Sequence, residues 1–333
     1  MESADRSQGR VERRTFLKGV AAGTVSLGLA GAWARPALSD EGAGATARAA
    51  VKTRTFGRTN VPISTVMYGS GALKPENVRM LQIAHERGLF GIDTAQSYQN
   101  GKSEEAVGVF LRSGVDREKV FLTTKASAFR RPPNGTAKDV LAAVRANVEL
   151  SLKRMNTDYL DLFLWPHGAN TTAFLEDEAV RDALKVMREE KKLRFLGFSS
   201  HANYEETVTA GIKDGFYDVV LTVINICTQN AEVAGRDGAN ASRGAGRPIL
   251  DTRGLLALAK EKNVGIMAMK VAKDGFLSQP TDGLLAKALP ADSPLSRHQK
   301  LYTYGLRQPG VSTVVIGMGN AKHLKEAVEV ASA

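Results

Sequence analysis

Residues 64 to 73 read Ser64-Thr65-Val66-Met67-Tyr68-Gly69-Ser70-Gly71-Ala72-Leu73, an apolar run of strand length that closes on glycines. How this run ends separates two architectures. In a doubly wound parallel sheet the first strand is followed by G-x-G-x-x-G, whose glycines let a pyrophosphate approach the next helix. The turn after Tyr68 does not carry that fingerprint. The other way to cover both faces of parallel strands is a closed (β/α)8 barrel, in which each strand is followed by a helix.

Further along the chain the same unit recurs. Apolar runs appear at FGIDTA (90–95), VFLTTK (120–125), LDLFLWP (160–166), LRFLGFSS (193–200), YDVVLTVIN (217–225), GIMAMKV (265–271) and TVVIGM (313–318), making eight with the first. Stretches of helical period lie between them, among them PENVRMLQIAHERG (75–88), SEEAVGVFLR (103–112), AKDVLAAVRANVELSLKRM (137–155) and LEDEAVRDALKVMREE (175–190). Pro, Ser and acidic residues near their starts suit helix N-termini. Eight such units over roughly 270 residues have the size of one TIM barrel, so the expected fold is α/β, a single-domain (β/α)8 barrel over residues 51–333. Ahead of it, residues 54–63 read as a short hairpin around a polar turn, placed to cap the barrel's bottom. The Gly- and Ala-rich stretch Gln229 to Arg247 reads as a loop after the sixth strand, either a lid or a solvated insertion.

Composition narrows the function classes. The chain has 333 residues, a formal charge of +10 and a pI near 9.6, which would suit an anionic partner. Its basic residues are scattered, without a block or interleaved aromatics, which argues against nucleic acid. The single cysteine, Cys227, excludes a disulfide framework, a thiolate zinc site and an iron–sulfur cluster held by protein thiolates. No HxH follows the first strand and the five histidines do not cluster, so no metal is expected.

The first fifty residues are of a different kind. Arg13 and Arg14 stand ahead of Phe16-Leu17-Lys18, and an uncharged Gly- and Ala-rich run follows from Gly19 to Ala34. This resembles a twin-arginine (Tat) export signal followed by a flexible linker. The run is short and glycine-rich for a transmembrane helix, so no stable membrane insertion of the mature protein is expected. Ala32-Trp33-Ala34 and Ala43-Gly44-Ala45 both offer a cleavage pattern. The resemblance implies the Tat export machinery as a partner and a periplasmic location, with the cytoplasm as the alternative if the signal does not work.

In a barrel, chemistry sits on the loops at the C-terminal ends of the strands. Asp93 lies near the end of the second strand, Lys125 ends the third and His167 follows the fourth, with Tyr98 in the loop beside Asp93. Each has a dull explanation alone; their repetition at one structural offset does not. The chemistry that needs this set is proton donation to a carbonyl as hydride arrives. A free phenol, with a pKa of about 10, is a poor acid at neutral pH, and a nearby ammonium favours its ionisation. Lys125 supplies the ammonium, Asp93 keeps it charged, and His167 can donate a hydrogen bond to the same carbonyl oxygen.

Asp93-Thr94-Ala95 with Tyr98, Lys125 in TTK and His167 in LFLWPH resemble the aspartate, tyrosine, lysine and histidine tetrad of the aldo/keto reductases. The likeness runs from Phe56-Gly57-Arg58-Thr59 through Ser103-Glu104-Glu105 to Gly317 and the last helix. It implies a barrel that binds NADP(H), or NAD(H), across its top and reduces a small-molecule aldehyde or ketone. It also implies that Ser199 and Ser200, Met269 and Lys270, and the residues after the eighth strand, Gly317, Met318, Gly319 and Asn320, touch the cofactor. For the last group there is an independent reason, since glycines before a helix expose backbone N–H groups to a phosphate. The chain departs from the family in having Ser199-Ser200 where many members have Ser-Asn, Leu221 for a glutamine and Met269 for a stacking aromatic. A nucleotide-bound sensor or binding subunit with little turnover is the alternative, because reduced nicotinamide has no obvious supply outside the cytoplasm.

Overall fold

The computed structural model describes residues 50–127, 135–201, 204–226, 253–272, 282–290 and 292–333. The leader up to residue 49, Cys227 and the loop Gln229–Arg247 lie outside the described residues. A two-stranded antiparallel hairpin, β1 (Thr53–Thr55) and β2 (Pro62–Ser64), precedes the barrel. The barrel strands are β3 (Val66–Gly69), β4 (Gly91–Asp93), β5 (Phe121–Ser127), β6 (Leu160–Ala169), β7 (Leu193–Ser200), β8 (Val219–Val223), β9 (Gly265–Met269) and β10 (Val311–Gly317). All eight pair in parallel, and β10 closes the ring on β3. Among the described residues the helices are α1 (Arg79–Glu86), α2 (Lys102–Arg112), α3 (Ala137–Met155), α4 (Glu178–Glu189), α5 (Thr209–Asp214), α6 (Arg253–Glu261), α7 (Asp282–Ala288), α8 (Arg297–Arg307) and α9 (Ala321–Ser332). None of them is long and apolar enough to cross a membrane.

Every strand expected from the sequence is present. The fourth is longer than expected: β6 runs past Pro166 to Ala169, so His167 lies inside the strand and does not follow it. The pairing of β6 with β7 shifts register on either side of His167. A proline cannot donate to the ladder and reads as a strand end; the irregular register accommodates it here.

Register fixes which side chains look inward. Gly69 pairs with Asp93, Asp93 with Thr123, and Thr123 with Leu162. Neighbours at one register in parallel strands share a face, and residues two apart on a strand share it again. Asp93 and Lys125 therefore project to the same side, above an interior floored by Leu162, Phe195, Leu221 and Met267, all but Phe195 fully buried.

The hairpin closes the opposite end. Phe56 is fully buried and its ring meets Phe121, the first residue of β5, at 5.6 Å. Gly57 takes φ of +53° beside the start of β9, where a β-carbon would collide with the backbone of Val264 and Gly265. Only glycine satisfies both conditions. At the same end buried Asp161 accepts from Arg117 Nη2 at 2.8 Å, Arg194 Nη1 at 2.5 Å and the Leu122 amide at 2.9 Å, tying β5, β6 and β7 together. The N-terminal face is thus plugged and cross-linked, and the C-terminal face is left for chemistry.

Candidate active site

The centre of the C-terminal rim is a buried ion pair. Lys125 Nζ lies 2.7 and 2.8 Å from the two carboxylate oxygens of Asp93, and donates at 2.7 Å to the main-chain carbonyl of Thr94. Both side chains are almost wholly removed from solvent. Burial pushes the Asp93 carboxyl above its ordinary pKa, against the pull of the Lys125 ammonium. Burial works to lower Lys125, but the Asp93 carboxylate and the Tyr98 phenol outweigh it and hold the ammonium above its usual value. With its nitrogen inside three hydrogen-bond distances, Lys125 is cationic and fixed in direction.

Tyr98 stands over this pair. Its ring centroid is 5.0 Å from Lys125 Nζ, and its ring meets that of His167 edge-on at 6.2 Å. Tyr98 opens a tight turn, Tyr98–Gly101, and the chain that reaches it from β4 is pinned to β5. The amide of Thr94 donates to Thr123 O at 2.9 Å, and that of Gln96 to Lys125 O at 3.1 Å. The structure therefore brings Asp93, Tyr98, Lys125 and His167 to one place.

His167 is partly buried, and its pKa is lowered to about 4, first by burial and then by the ammonium groups of Lys125 and Lys270. At neutral pH it is an uncharged imidazole that can donate one hydrogen bond. The ring of His201 lies 5.8 Å beyond it.

The expected nucleotide-contacting residues lie at the C-terminal ends of β7, β9 and β10, although the Met318 side chain is buried in the hydrophobic core. Ser199 Oγ accepts from the Gly168 amide at 2.9 Å, and among the described residues its own proton has no acceptor. Ser200 Oγ donates to Ala169 O at 2.9 Å. Met269 ends β9, and Lys270 follows it at φ of +58°. At Gly317 and Gly319 a β-carbon would meet nothing within 4 Å, so the fold itself gives no steric reason for glycine there. Asn320 caps α9, its Oδ1 accepting from the His323 amide at 2.9 Å. Among the described residues, no hydrogen bond engages the amides of Ala321 and Lys322 at that helix end. An open glycine turn leading into free first-turn amides is a fitting cradle for an anionic group.

The sequence does not show the Thr94 carbonyl that takes the third bond of Lys125, nor a buried hydroxyl cluster after β3 and β4. Fully buried Ser103 links Ser70 and Thr94, each hydroxyl at 2.8 Å. No local pattern marks a main-chain acceptor or a hydroxyl cluster assembled from three elements.

The aldo/keto reductase family model matches residues 65–333. The chain is 27% identical over 295 residues to the Uncharacterized oxidoreductase YqkF of Bacillus subtilis (strain 168), an alignment covering 85% of this chain and 92% of that protein. Its fold is similar to the holo form of aldo-keto reductase AKR11C1 from Bacillus halodurans, with a TM-score of 0.63 and 22% identity over 85% of this chain and 91% of that one. An aldo-keto reductase from Klebsiella pneumoniae solved in complex with NADPH gives a TM-score of 0.61 at 20% identity, covering 85% and 90%. With a family model spanning the whole barrel and the four residues gathered at its rim, the chain belongs to the aldo/keto reductase family.

Proposed function

We propose that this protein reduces an aldehyde or ketone to an alcohol using NADPH, with Tyr98 as the general acid. The observation that carries the reading is the desolvated Lys125–Asp93 pair set beneath the Tyr98 ring and beside a neutral His167. A bound reduced nicotinamide supplies the hydride that reaches the carbonyl carbon. Tyr98 gives its phenolic proton to the carbonyl oxygen, the fixed ammonium of Lys125 stabilises the phenolate left behind, and solvent restores the proton. His167 donates a hydrogen bond to that oxygen without carrying a charge that would compete with Lys125.

Ser199, Ser200, Met269, Lys270, Gly317, Met318, Gly319 and Asn320 are the residues assigned to hold the nucleotide. The open space at Gly317 and Gly319 supports an anion there, and the NADPH bound to the Klebsiella pneumoniae protein of similar fold supports the phosphorylated form. Tyr98→Phe assayed with NADPH and a panel of aldehydes tests the assignment. Loss of about 100-fold or more in kcat, with nucleotide affinity kept, is expected; parental rates would remove Tyr98 from its role.

We further propose that Arg13 and Arg14 direct export by the Tat route to the periplasm, a reading supported by the twin arginines and the uncharged run from Gly19 to Ala34. Replacing both arginines by lysine should leave the protein in the cytoplasmic fraction. Unchanged partition between fractions would show that they are not an address.

A further inference from the structure

We propose that Glu104 and Arg154 are positioning residues which seat the Tyr98 turn, a role that rests on the reading of Tyr98 as the acid. The turn is held in an unfavourable backbone. Gln99, Asn100 and Gly101 take φ of +51°, +56° and +92° in succession. Left-handed backbone is disfavoured for any residue with a β-carbon and persists only where its surroundings impose it. Gln99 Nε2 ties one side of the turn to Gly71 O at 2.8 Å.

Arg154, in the last turn of α3, supports the other side. A β-carbon at Gly101 would lie 2.6 Å from its Cζ and 2.7 and 2.9 Å from its terminal nitrogens, so the guanidinium lies against the turn itself. Glu104 aims it. Arg154 Nη1 donates to Glu104 Oε2 at 3.1 Å, and Thr124 Oγ1 donates to Glu104 Oε1 at 2.7 Å. Glu104 is wholly buried in the first turn of α2, and Thr124 is the neighbour of Lys125 on β5. One carboxylate therefore joins the strand that carries the ammonium to the arginine that seats the phenol. A buried ion pair is a poor route to stability, because desolvation offsets much of the attraction. It is a good route to fixed geometry, and a misplacement of about 1 Å at a reacting group can lower a rate by about 100-fold.

The test uses the full chain with NADPH and an aromatic aldehyde, comparing Arg154→Met, Arg154→Lys, Tyr98→Phe and the double variant Arg154→Met with Tyr98→Phe. Arg154→Met should lower kcat by about 10- to 100-fold while the NADPH Kd, read by fluorescence, and the aldehyde KM move by less than about 2-fold. The double variant should be no slower than Tyr98→Phe alone, since both act through one proton transfer. Arg154→Lys keeps a charge for Glu104 but not the flat group at Gly101. It should show the same loss in kcat, and it covers a Met variant that does not fold. An inactive Tyr98→Phe with unchanged kcat in both Arg154 variants overturns the positioning role and leaves the acid assignment standing. Parallel rises in Kd and KM, or additive losses in the double variant, overturn it as well. A fully active Tyr98→Phe removes the acid assignment, and the positioning role with it.

Discussion

His167 is buried enough, and near enough to two ammonium groups, for its pKa to fall to about 4. An unfolded histidine titrates near 6.5. Between these values the unfolded chain binds a proton that the folded site refuses, so this residue's contribution to stability is complete above about pH 6.5 and is lost as pH falls toward 4. A His167→Gln variant should therefore show a flatter dependence of urea midpoint on pH across that window. The same shift sets the rate profile: the acid limb of kcat/KM that belongs to His167 should lie near pH 4, and a limb near 6.5 would show that the imidazole is solvated in the working enzyme. At this scale the chain was readable because Asp93, Lys125 and His167 are ionisable groups set where apolar runs end. Arg154 was not. It is one basic residue among many in a helical stretch, and nothing in α3 signals that its guanidinium reaches across to Gly101.

The elements that deliver these groups differ in how plainly they are encoded. Helix α3 was expected at 137–155 and is found there, because a capping box at Thr136 and Asp139 opens it and left-handed Asn156 closes it. Thr136 Oγ1 accepts from the Asp139 amide at 3.3 Å while Asp139 accepts from the Thr136 amide at 2.7 Å. Thr136→Ala should cost about 1 kcal/mol of folding stability, measured by urea unfolding. Its kcat should be that of the parent, since the cap lies at the far end of the helix from Arg154; a loss of rate at unchanged stability would mean that α3 transmits strain to the Tyr98 turn. The end of β6 was less legible. Strand patterning ends at Pro166, whereas the ladder resumes beyond it after a change of register that no single-strand pattern records. That irregularity is what carries His167 inside the strand and toward Tyr98. The Tyr98 turn is the other case. Its left-handed residues include Gln99 and Asn100, and glutamine gives no warning of such a backbone.

Across the whole molecule the two ends of the barrel obey different constraints. At the hairpin end glycine is required by contact, since any side chain at Gly57 strikes the start of β9, and the consequence of change is loss of stability. At the rim the reverse holds: a β-carbon at Gly317 or Gly319 would meet nothing within 4 Å, and neither glycine adopts a left-handed backbone. A residue type that the fold does not need, placed ahead of the Ala321 and Lys322 amides, which no hydrogen bond engages among the described residues, is explained by something that binds there. Gly319→Val separates the two accounts, because valine would cost the apoprotein little where its β-carbon touches nothing. The melting temperature without nucleotide should stay within about 2 °C of the parent, since exposed substitutions shift stability by about 0.5 kcal/mol or less. With NADPH at roughly 100 times its Kd, the parent should gain about 2.7 kcal/mol of stability, and the variant much less. If the variant keeps the full nucleotide-induced rise, the phosphates lie elsewhere on the rim. If it melts early without nucleotide, the glycine serves the fold after all, and the case for a cradle at the start of α9 is lost.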